Sequence, residues 1–330
     1  MNPFQYATAQ SPEEAMSLVG KNGRYLGGGI DLLDEMKEYI VSPDLLVALR
    51  LPRQGDPVTP AEKSLQIENI PAGTIFIDSQ MTVTELAVHP DILSRFPGLA
   101  EAAGEVGSPQ IRNVATVGGN LLQHSRCWYY RQPDITCLKR GGSTCYGQDG
   151  ENKYLSLFSG CACISPIASN LAVALTALDA ELYLREKIKA TPVRIHDFYA
   201  PAWTSPEAHN ALPSGALLTG VIVSPKRTRS AYRQMSEKSE FDWALVSCAA
   251  AGNVKDGKIT DARVALGGVA PVPYVVAKAN HFLEDKPLNE DTASQAADLI
   301  LADAKPLAHN GYKVPLAHTL IRRTLLALNP

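Results

Sequence analysis

Five of the chain's six cysteines fall between Cys127 and Cys163. Cys127, Cys137, Cys145 and Cys163 are separated by nine, seven and seventeen residues, and Cys161 stands two before the last. Four thiolates on one irregular loop can close around a [4Fe–4S] cluster. No C-x-x-C pair is present, so the common zinc-ribbon and thioredoxin spacings are absent. On the residues alone three readings stay open: an iron–sulfur cluster, a zinc ion, or buried thiols that ligate nothing. Arg126, Arg131, Lys139 and Arg140 could offset the charge of the thiolates, and Gly141 and Gly142 could offer backbone N–H groups to cluster sulfurs. Cys248, in V-S-C-A-A-A-G, reads as a small buried hydrophobe.

A second kind of chemistry lies just upstream, in V-G-S-P-Q-I-R-N-V-A-T-V-G-G-N from Val106 to Asn120. Ser108 and Thr116 supply hydroxyls, and Gly118-Gly119-Asn120 follow an apparent strand. Gly27-Gly28-Gly29 follow another short strand, Arg24-Tyr25-Leu26. Two glycine-lined walls would let backbone N–H groups approach a diphosphate from two sides. Either wall alone reads equally as a β-turn. Asp31 and Leu32 follow the first, so the G-x-G-x-x-G fingerprint of a dinucleotide-binding Rossmann unit is missing. His124, between the two constellations, reads as a hydrogen-bonding structural residue. His196, His281, His309 and His318 form no ligand pattern, and no Ser-His-Asp or paired-carboxylate arrangement suggests hydrolysis.

The elements that must position these residues alternate at first. Ser11 caps a helix, Arg24 to Leu26 is a strand, Ile30 begins a helix and Asp44 to Leu49 is a second strand. Residues 51–80 read as strands and turns. Thr82-Val83-Thr84-Glu85 is a capping box, and Pro90 to Gly104 reads as one or two helices. Residues 121–163 have weak periodicity and many breakers, and are expected to be held by a ligand rather than by packing. Leu171 to Leu184 turns from a helix into a strand. Pro201 to Pro213 lacks periodicity and reads as the main domain boundary. Beyond it, Leu217 to Val223, Ser230 to Met235, Ala244 to Ala251 and Arg263 to Val269 read as strands of one antiparallel sheet, with a turn at Lys255-Asp256-Gly257-Lys258. The last forty-five residues are helical, so the fold class is α+β.

Composition narrows the partners. With 330 residues, 45% hydrophobic and 20% charged, the chain can bury a large core over two or three domains. A formal charge of -3 and the lack of basic runs argue against nucleic acid. No apolar stretch approaches the roughly 18 residues of a membrane span. No signal peptide is visible, so the expectation is cytoplasmic, with periplasmic export as the passenger of a partner subunit left open.

Taken together, these segments resemble the FAD-binding medium subunit of the molybdenum hydroxylases, the xanthine dehydrogenase and aldehyde oxidoreductase group. Leu26-Gly27-Gly28-Gly29-Ile30-Asp31-Leu32 is similar to the family's first flavin segment. Ile111-Arg112-Asn113-Val114-Ala115-Thr116-Val117-Gly118-Gly119-Asn120 is similar to its second, I-R-N-x-A-T-x-G-G-N. Ile30 replaces the family's usual Thr, and Asn170 stands where Asp is common. The cysteine loop resembles an insertion found in bacterial aldehyde oxidoreductases and 4-hydroxybenzoyl-CoA reductase. Ala162-Cys163-Ile164, shortly before S-N-L-A-V-A, is closer to the aldehyde oxidoreductase branch.

The resemblance implies a vanillyl-alcohol-oxidase-type FAD domain of two α/β subdomains, residues 1–55 and 56–205, with the insertion at about 121–165. A C-terminal α+β domain at 214–330 follows. It implies FAD contacts at Leu26, Gly27, Gly28, Gly29, Ile30, Asp31, Leu32, Ser108, Ile111, Arg112, Asn113, Thr116, Gly118, Gly119, Asn120 and Asn170. The implied ligands of a [4Fe–4S] cluster are Cys127, Cys137, Cys145 and Cys163. It also implies a large molybdopterin subunit that oxidises the substrate, and a small subunit with two [2Fe–2S] clusters. Electrons would pass from these to FAD and then to an external acceptor, so no catalytic residue is expected on this chain. Three readings compete: a subunit of a 4-hydroxybenzoyl-CoA reductase-like or other molybdenum hydroxylase, a self-sufficient flavin oxidase, and a zinc- and nucleotide-binding structural subunit.

Overall fold

The computed structural model describes residues 1–49, 51, 55–65, 70–186 and 189–329. The first sheet is parallel, with β1 (Gln5–Ala9) and β2 (Gly23–Leu26) on either side of β3 (Leu45–Leu49). The central strand is apolar because both of its faces are covered, and Val47 and Ala48 are buried. The connecting helix Pro12–Leu18 starts where expected, with the Ser11 hydroxyl accepting the Glu14 N–H at 3.1 Å. A second helix, Leu32–Lys37, leads from β2 toward β3.

The second sheet is antiparallel: β4 (Val58–Pro60), β5 (Ile75–Asp78), β6 (Glu181–Glu186), β7 (Lys189–Arg194) and β8 (Leu217–Val223), in the order β4-β5-β8-β6-β7. Residues 52–54 and 66–69, part of the expected run of strands and turns at 51–80, lie outside the described residues. Four helices share one apolar core with this sheet: Val83–Val88, Pro90–Arg95, Pro97–Gly104 and Asn170–Ala177, the last two also lying against the C-terminal strands Arg229–Met235 and Val246–Lys255 respectively. The first carries the expected capping box, Thr82 with Glu85. Every residue of Asn170–Ala177 is buried; six of the eight are apolar, and the two polar ones are satisfied, Asn170 by Gln234 and Thr176 by Ala172 O.

One expected strand grouping is corrected here. Leu217–Val223 does not join the C-terminal sheet but lies between β5 and β6 in the second one. Its alternating apolar pattern fits either sheet, and only the pairing with Ile75–Asp78 and Glu181–Glu186 decides. The residues before it are not wholly irregular either, since a helix, Ile195–Thr204, runs through Pro201.

The third sheet holds β9 (Arg229–Met235), β10 (Val246–Lys255), β11 (Lys258–Gly267) and β12 (Lys286–Pro287), in the order β12-β11-β10-β9. Asp256 and Gly257 turn β10 into β11 with φ of 51° and 72°, the geometry of a tight hairpin. The helices Ala277–Leu283, Glu290–Leu301 and Lys313–Leu326 add the apolar side chains of a second core. Cys248 lies inside that core, and burial pushes its thiol up to about 12.

The cysteine stretch itself has one short helix, Trp128–Arg131, and a 3-10 turn at Leu138–Arg140. Protein contacts hold its far end. Asn310, fully buried, donates to the Leu155 and Ser156 carbonyls at 3.2 and 3.1 Å. The Lys313 ammonium donates to the carbonyls of Tyr154 and Gly268 at 2.8 and 2.7 Å. The Tyr312 hydroxyl donates to Lys153 O at 2.9 Å. Packing thus shares in holding a segment expected to depend on a ligand: side chains from the C-terminal helix region take the backbone carbonyls of Lys153 to Ser156.

Candidate functional site

The two glycine segments meet at a cavity of about 660 Å³, a size suited to a cofactor. Gly27, Gly28, Gly29, Ile30, Asp31 and Leu32 form one wall. Ile111, Thr116, Gly118, Gly119 and Asn120 form another. The segments also touch each other. A Cβ on Gly28 would stand 2.0 Å from the Val114 carbonyl oxygen, and one on Gly27 or Gly119 would stand 3.0 Å from the Thr116 hydroxyl. These glycines let one backbone lie directly on the other. Gly29 has a φ of +77°, which turns the chain toward the helix Leu32–Lys37.

The donor accounting differs from the sequence expectation. Val117 N–H goes to Met81 O at 2.8 Å, Gly118 N–H to Ser79 O at 2.7 Å and Gly119 N–H to the Thr116 hydroxyl at 3.0 Å. Gly118-Gly119-Asn120 do not follow a strand; they sit in a helical turn, Val117–Leu121, that Thr116 caps. The idea that these glycine N–H groups reach a diphosphate is corrected, because protein acceptors already hold them. By contrast, the N–H groups of Gly28, Gly29, Ile30 and Asp31 find no acceptor among the described residues. Anion-binding capacity therefore lies on the first wall.

Five expected contact residues stand off the cavity wall. Leu26 points at the Gly29 turn. Ser108 caps the helix Pro109–Arg112, and Arg112 donates to Val106 O at 3.0 Å. Asn113 accepts the Thr84 hydroxyl at 2.7 Å, and Asn170 donates to Gln234 at 3.0 Å. Asn120 is on the wall but its amide oxygen accepts the Ser169 hydroxyl at 2.7 Å. The sequence reading missed Tyr25, Asn210, Ser214, Phe241 and Trp243, which also line the cavity. Tyr25 donates to Gly215 O at 2.7 Å, and burial pushes its phenol up to about 12. Phe241 and Trp243 are exposed aromatics in a polar connection, the one local signal that could have drawn attention to them.

The first wall continues into a dense ion-pair network, of which Asp31, Asp34, Glu35, His124 and Arg126 also line the cavity. Asp31 accepts the His124 backbone N–H at 2.7 Å and pairs with Arg126 and Arg131, each at 2.7 Å. Arg126 also meets Asp34 at 3.1 Å, and Arg131 meets Glu38 at 3.5 Å. These two arginines were expected to neutralise thiolates; the carboxylates of Leu32–Lys37 and its flanks hold them instead. Glu35 accepts from Tyr130 at 2.8 Å and pairs with His124 at 3.0 Å. His124 thus has the hydrogen-bonding role read from the sequence, and it stacks on His209 with centroids 4.0 Å apart. Burial, then the neighbouring His124, Lys139 and Arg131 charges, depress the basicity of His209 strongly.

Beyond the network is a second, narrow cavity of about 10 Å³, room for roughly one water. Cys127, Cys137, Cys145 and Cys163 line it, together with Tyr130 and Lys139. Cys161 is not on its wall; its sulfur lies 3.8 Å from Cys163 O. Burial pushes the Cys127 thiol up to about 12 and raises that of Cys163 as well, with Lys139 opposing the latter. Such thiols stay protonated at neutral pH unless a metal replaces the proton. Lys139 is the expected cation that does face the thiols, and its ammonium donates to Pro206 O and Ala208 O at 3.0 and 2.8 Å. Arg140 donates to the Gln132 and Ile135 carbonyls at 2.6 and 3.0 Å. Gly142 N–H is held by Cys137 O at 3.0 Å and Gly141 N–H by Leu138 O at 3.3 Å, so neither is free as expected. Among the described residues no group of three or more His, Cys, Asp or Glu is arranged to hold a metal ion.

Comparison with known proteins gives the family. Residues 2–226 match the model described as the FAD binding domain in molybdopterin dehydrogenase, and residues 230–328 match the CO dehydrogenase flavoprotein C-terminal domain. The chain belongs to the FAD-binding subunits of the molybdenum hydroxylases. It is 32% identical to the aldehyde oxidoreductase FAD-binding subunit PaoB of Escherichia coli K12, over 99% of this chain and 98% of the relative. It is 23% identical to the carbon monoxide dehydrogenase medium chain of Hydrogenophaga pseudoflava, over 98% and 96%. Its fold matches solved quinoline 2-oxidoreductase from Pseudomonas putida 86 with a TM-score of 0.72 at 21% identity, covering 99% and 97% of the two chains. Reconstituted CO dehydrogenase from Oligotropha carboxidovorans matches with a TM-score of 0.73 at 22% identity, covering 99% and 98%. The resemblance drawn from the two glycine segments is therefore correct, and the subunit is an oxidoreductase component that binds FAD. The cavity suits that cofactor: it is large, glycine-walled and supplied with unclaimed backbone N–H groups. No helix among the described residues is long and apolar enough to cross a membrane.

Proposed function

We propose that this chain is the FAD- and [4Fe–4S]-carrying electron-transfer subunit of a molybdenum-containing aldehyde oxidoreductase. When bound, FAD accepts electrons and passes them on; the residues described here hold it and keep the two sites adjacent. The backbone of Gly28 to Asp31 would receive the diphosphate, and Asp31 would orient that turn by anchoring it to Arg126 and Arg131. The observation that carries the cluster reading is the convergence of Cys127, Cys137, Cys145 and Cys163 on one pocket that excludes Cys161. In a [4Fe–4S] cluster each thiolate meets its own iron, so the sulfurs need not converge on a single point as they would around one ion.

The aldehyde assignment rests on the 32% identity to an aldehyde oxidoreductase subunit. The partners we assign are a large molybdopterin subunit that oxidises the substrate and a small [2Fe–2S] subunit that delivers electrons. An external acceptor then takes them from FAD. A cytoplasmic place, or export with a partner, is part of the same reading. The purified complex should hold one FAD and about four irons per copy of this chain beyond those of the partners. A flavin-replete chain lacking iron would leave the FAD role and remove the cluster.

A further inference from the structure

Glu35 belongs to both sites. It lies on the wall of the cofactor cavity, yet is only 2% exposed. Its Oε1 accepts the Tyr130 hydroxyl at 2.8 Å and bonds His124 Nδ1 at 3.0 Å. Tyr130 lines the thiol pocket and His124 lines the cofactor cavity. One carboxylate oxygen therefore joins a wall of each. Burial alone would raise the Glu35 pKa, but bonds from His124 and Tyr130 and the Arg131 charge hold it below the usual carboxylate range.

We propose that Glu35 is a positioning residue that couples the two sites, fixing the wall of the thiol pocket through Tyr130 and doing so more firmly when FAD covers His124. The His124 side chain is 31% exposed. Filling the cavity removes competing water from the imidazole, and a hydrogen bond with less competing water is stronger. Tyr130 Oη also lies 3.3 Å from His124 Nδ1, so the three groups form one cluster on the Glu35 oxygen and an ordered His124–Glu35 pair also orders Tyr130. Tyr130 sits in the turn that Cys127 opens, closed by the Arg131 N–H to Cys127 O bond at 3.0 Å. By linkage, a fixed thiol pocket must tighten FAD binding to the same degree. The inference rests on FAD occupying the larger cavity, and it needs no metal in the smaller one.

The test compares the metal-free full chain with and without FAD. Iodoacetamide labelling is followed at Cys127 and Cys161 by peptide mass spectrometry. FAD should slow Cys127 by at least about fivefold and leave Cys161 unchanged. In Tyr130→Phe and Glu35→Leu chains that still take up FAD, read from flavin absorption, Cys127 should react at the same rate with and without FAD. Glu35→Gln keeps an acceptor oxygen and should recover part of the difference. A purely structural Glu35 would shift both rates together and preserve their ratio. The proposal is overturned if FAD does not slow Cys127 in the parent chain, or if both the Tyr130→Phe and Glu35→Leu chains keep the parent ratio. Should Glu35→Leu fail to fold, Tyr130→Phe decides alone, since it removes only a hydroxyl. Failure of the parent chain to take up FAD, read from flavin absorption, would overturn the cofactor assignment instead.

Discussion

Gly28 and Val114 meet backbone to backbone: a Cβ on Gly28 would stand 2.0 Å from the Val114 carbonyl oxygen. The relationship explains the glycine run better than cofactor contact does. Gly28 makes room for the neighbouring segment, while the N–H groups of its own turn face no protein acceptor among the described residues.

Gly28→Ala should therefore separate the two segments and release flavin. Overpacking against backbone costs about 1–3 kcal/mol. Gly119→Ala should be milder, because its nearest neighbour is the Thr116 hydroxyl at 3.0 Å, a side-chain group that can turn aside. Flavin content after gel filtration ranks the two. Equal retention would mean that the segments are not pressed together.

Replacing Asp31 by Asn should destabilise the chain by about 3 kcal/mol, because two largely buried arginines lose their shared carboxylate. Urea unfolding of the Asp31→Asn chain gives the number. A change under about 0.5 kcal/mol would reduce the network to a surface-like contribution.

Cys163→Ser should lose about four irons, whereas Cys161→Ser should keep them, since Cys163 and not Cys161 faces the narrow pocket. Iron per protein is the readout. Loss on Cys161→Ser alone would reverse the assignment.

Lys313 carries a pH prediction. Burial lowers its pKa to about 7, although its ammonium donates to two carbonyls. From about pH 7 to about pH 10 the unfolded chain binds this proton and the folded chain does not, so stability from this residue rises with pH. Below about pH 7 both states are protonated and the contribution is flat. Urea midpoints of the parent chain should climb relative to Lys313→Met across that window. Parallel curves would show that the two carbonyls keep Lys313 charged throughout.

Local signals were legible in the sequence. Ser11 and the Thr82–Glu85 box start their helices, and Asp256-Gly257 turns its hairpin. Spacing could not separate Cys163 from Cys161, two residues apart; only the resemblance of the residues around Cys163 set it apart, and the pocket wall holds Cys163 and not Cys161. Relations between distant segments were not legible. Arg126 stands beside Cys127 in the chain, but its partners Asp31 and Asp34 come from some ninety residues upstream. Periodicity showed that Leu217–Val223 is a strand without naming its neighbours. Nor could it show that the Gly118 and Gly119 N–H groups already had acceptors, one of them on Ser79.

The clamp from Asn310, Tyr312 and Lys313 sets the order of events during synthesis. Its bonds reach back to Lys153 through Ser156, contacts between residues more than 150 apart in sequence. Contacts so far apart form late, after most of the chain is available. A ribosome must therefore release almost the entire polypeptide before the cysteine stretch can settle against its support. Any metal delivered there would be a post-translational load, and a nascent chain stalled short of residue 309 should expose all five of the stretch's thiols to labelling.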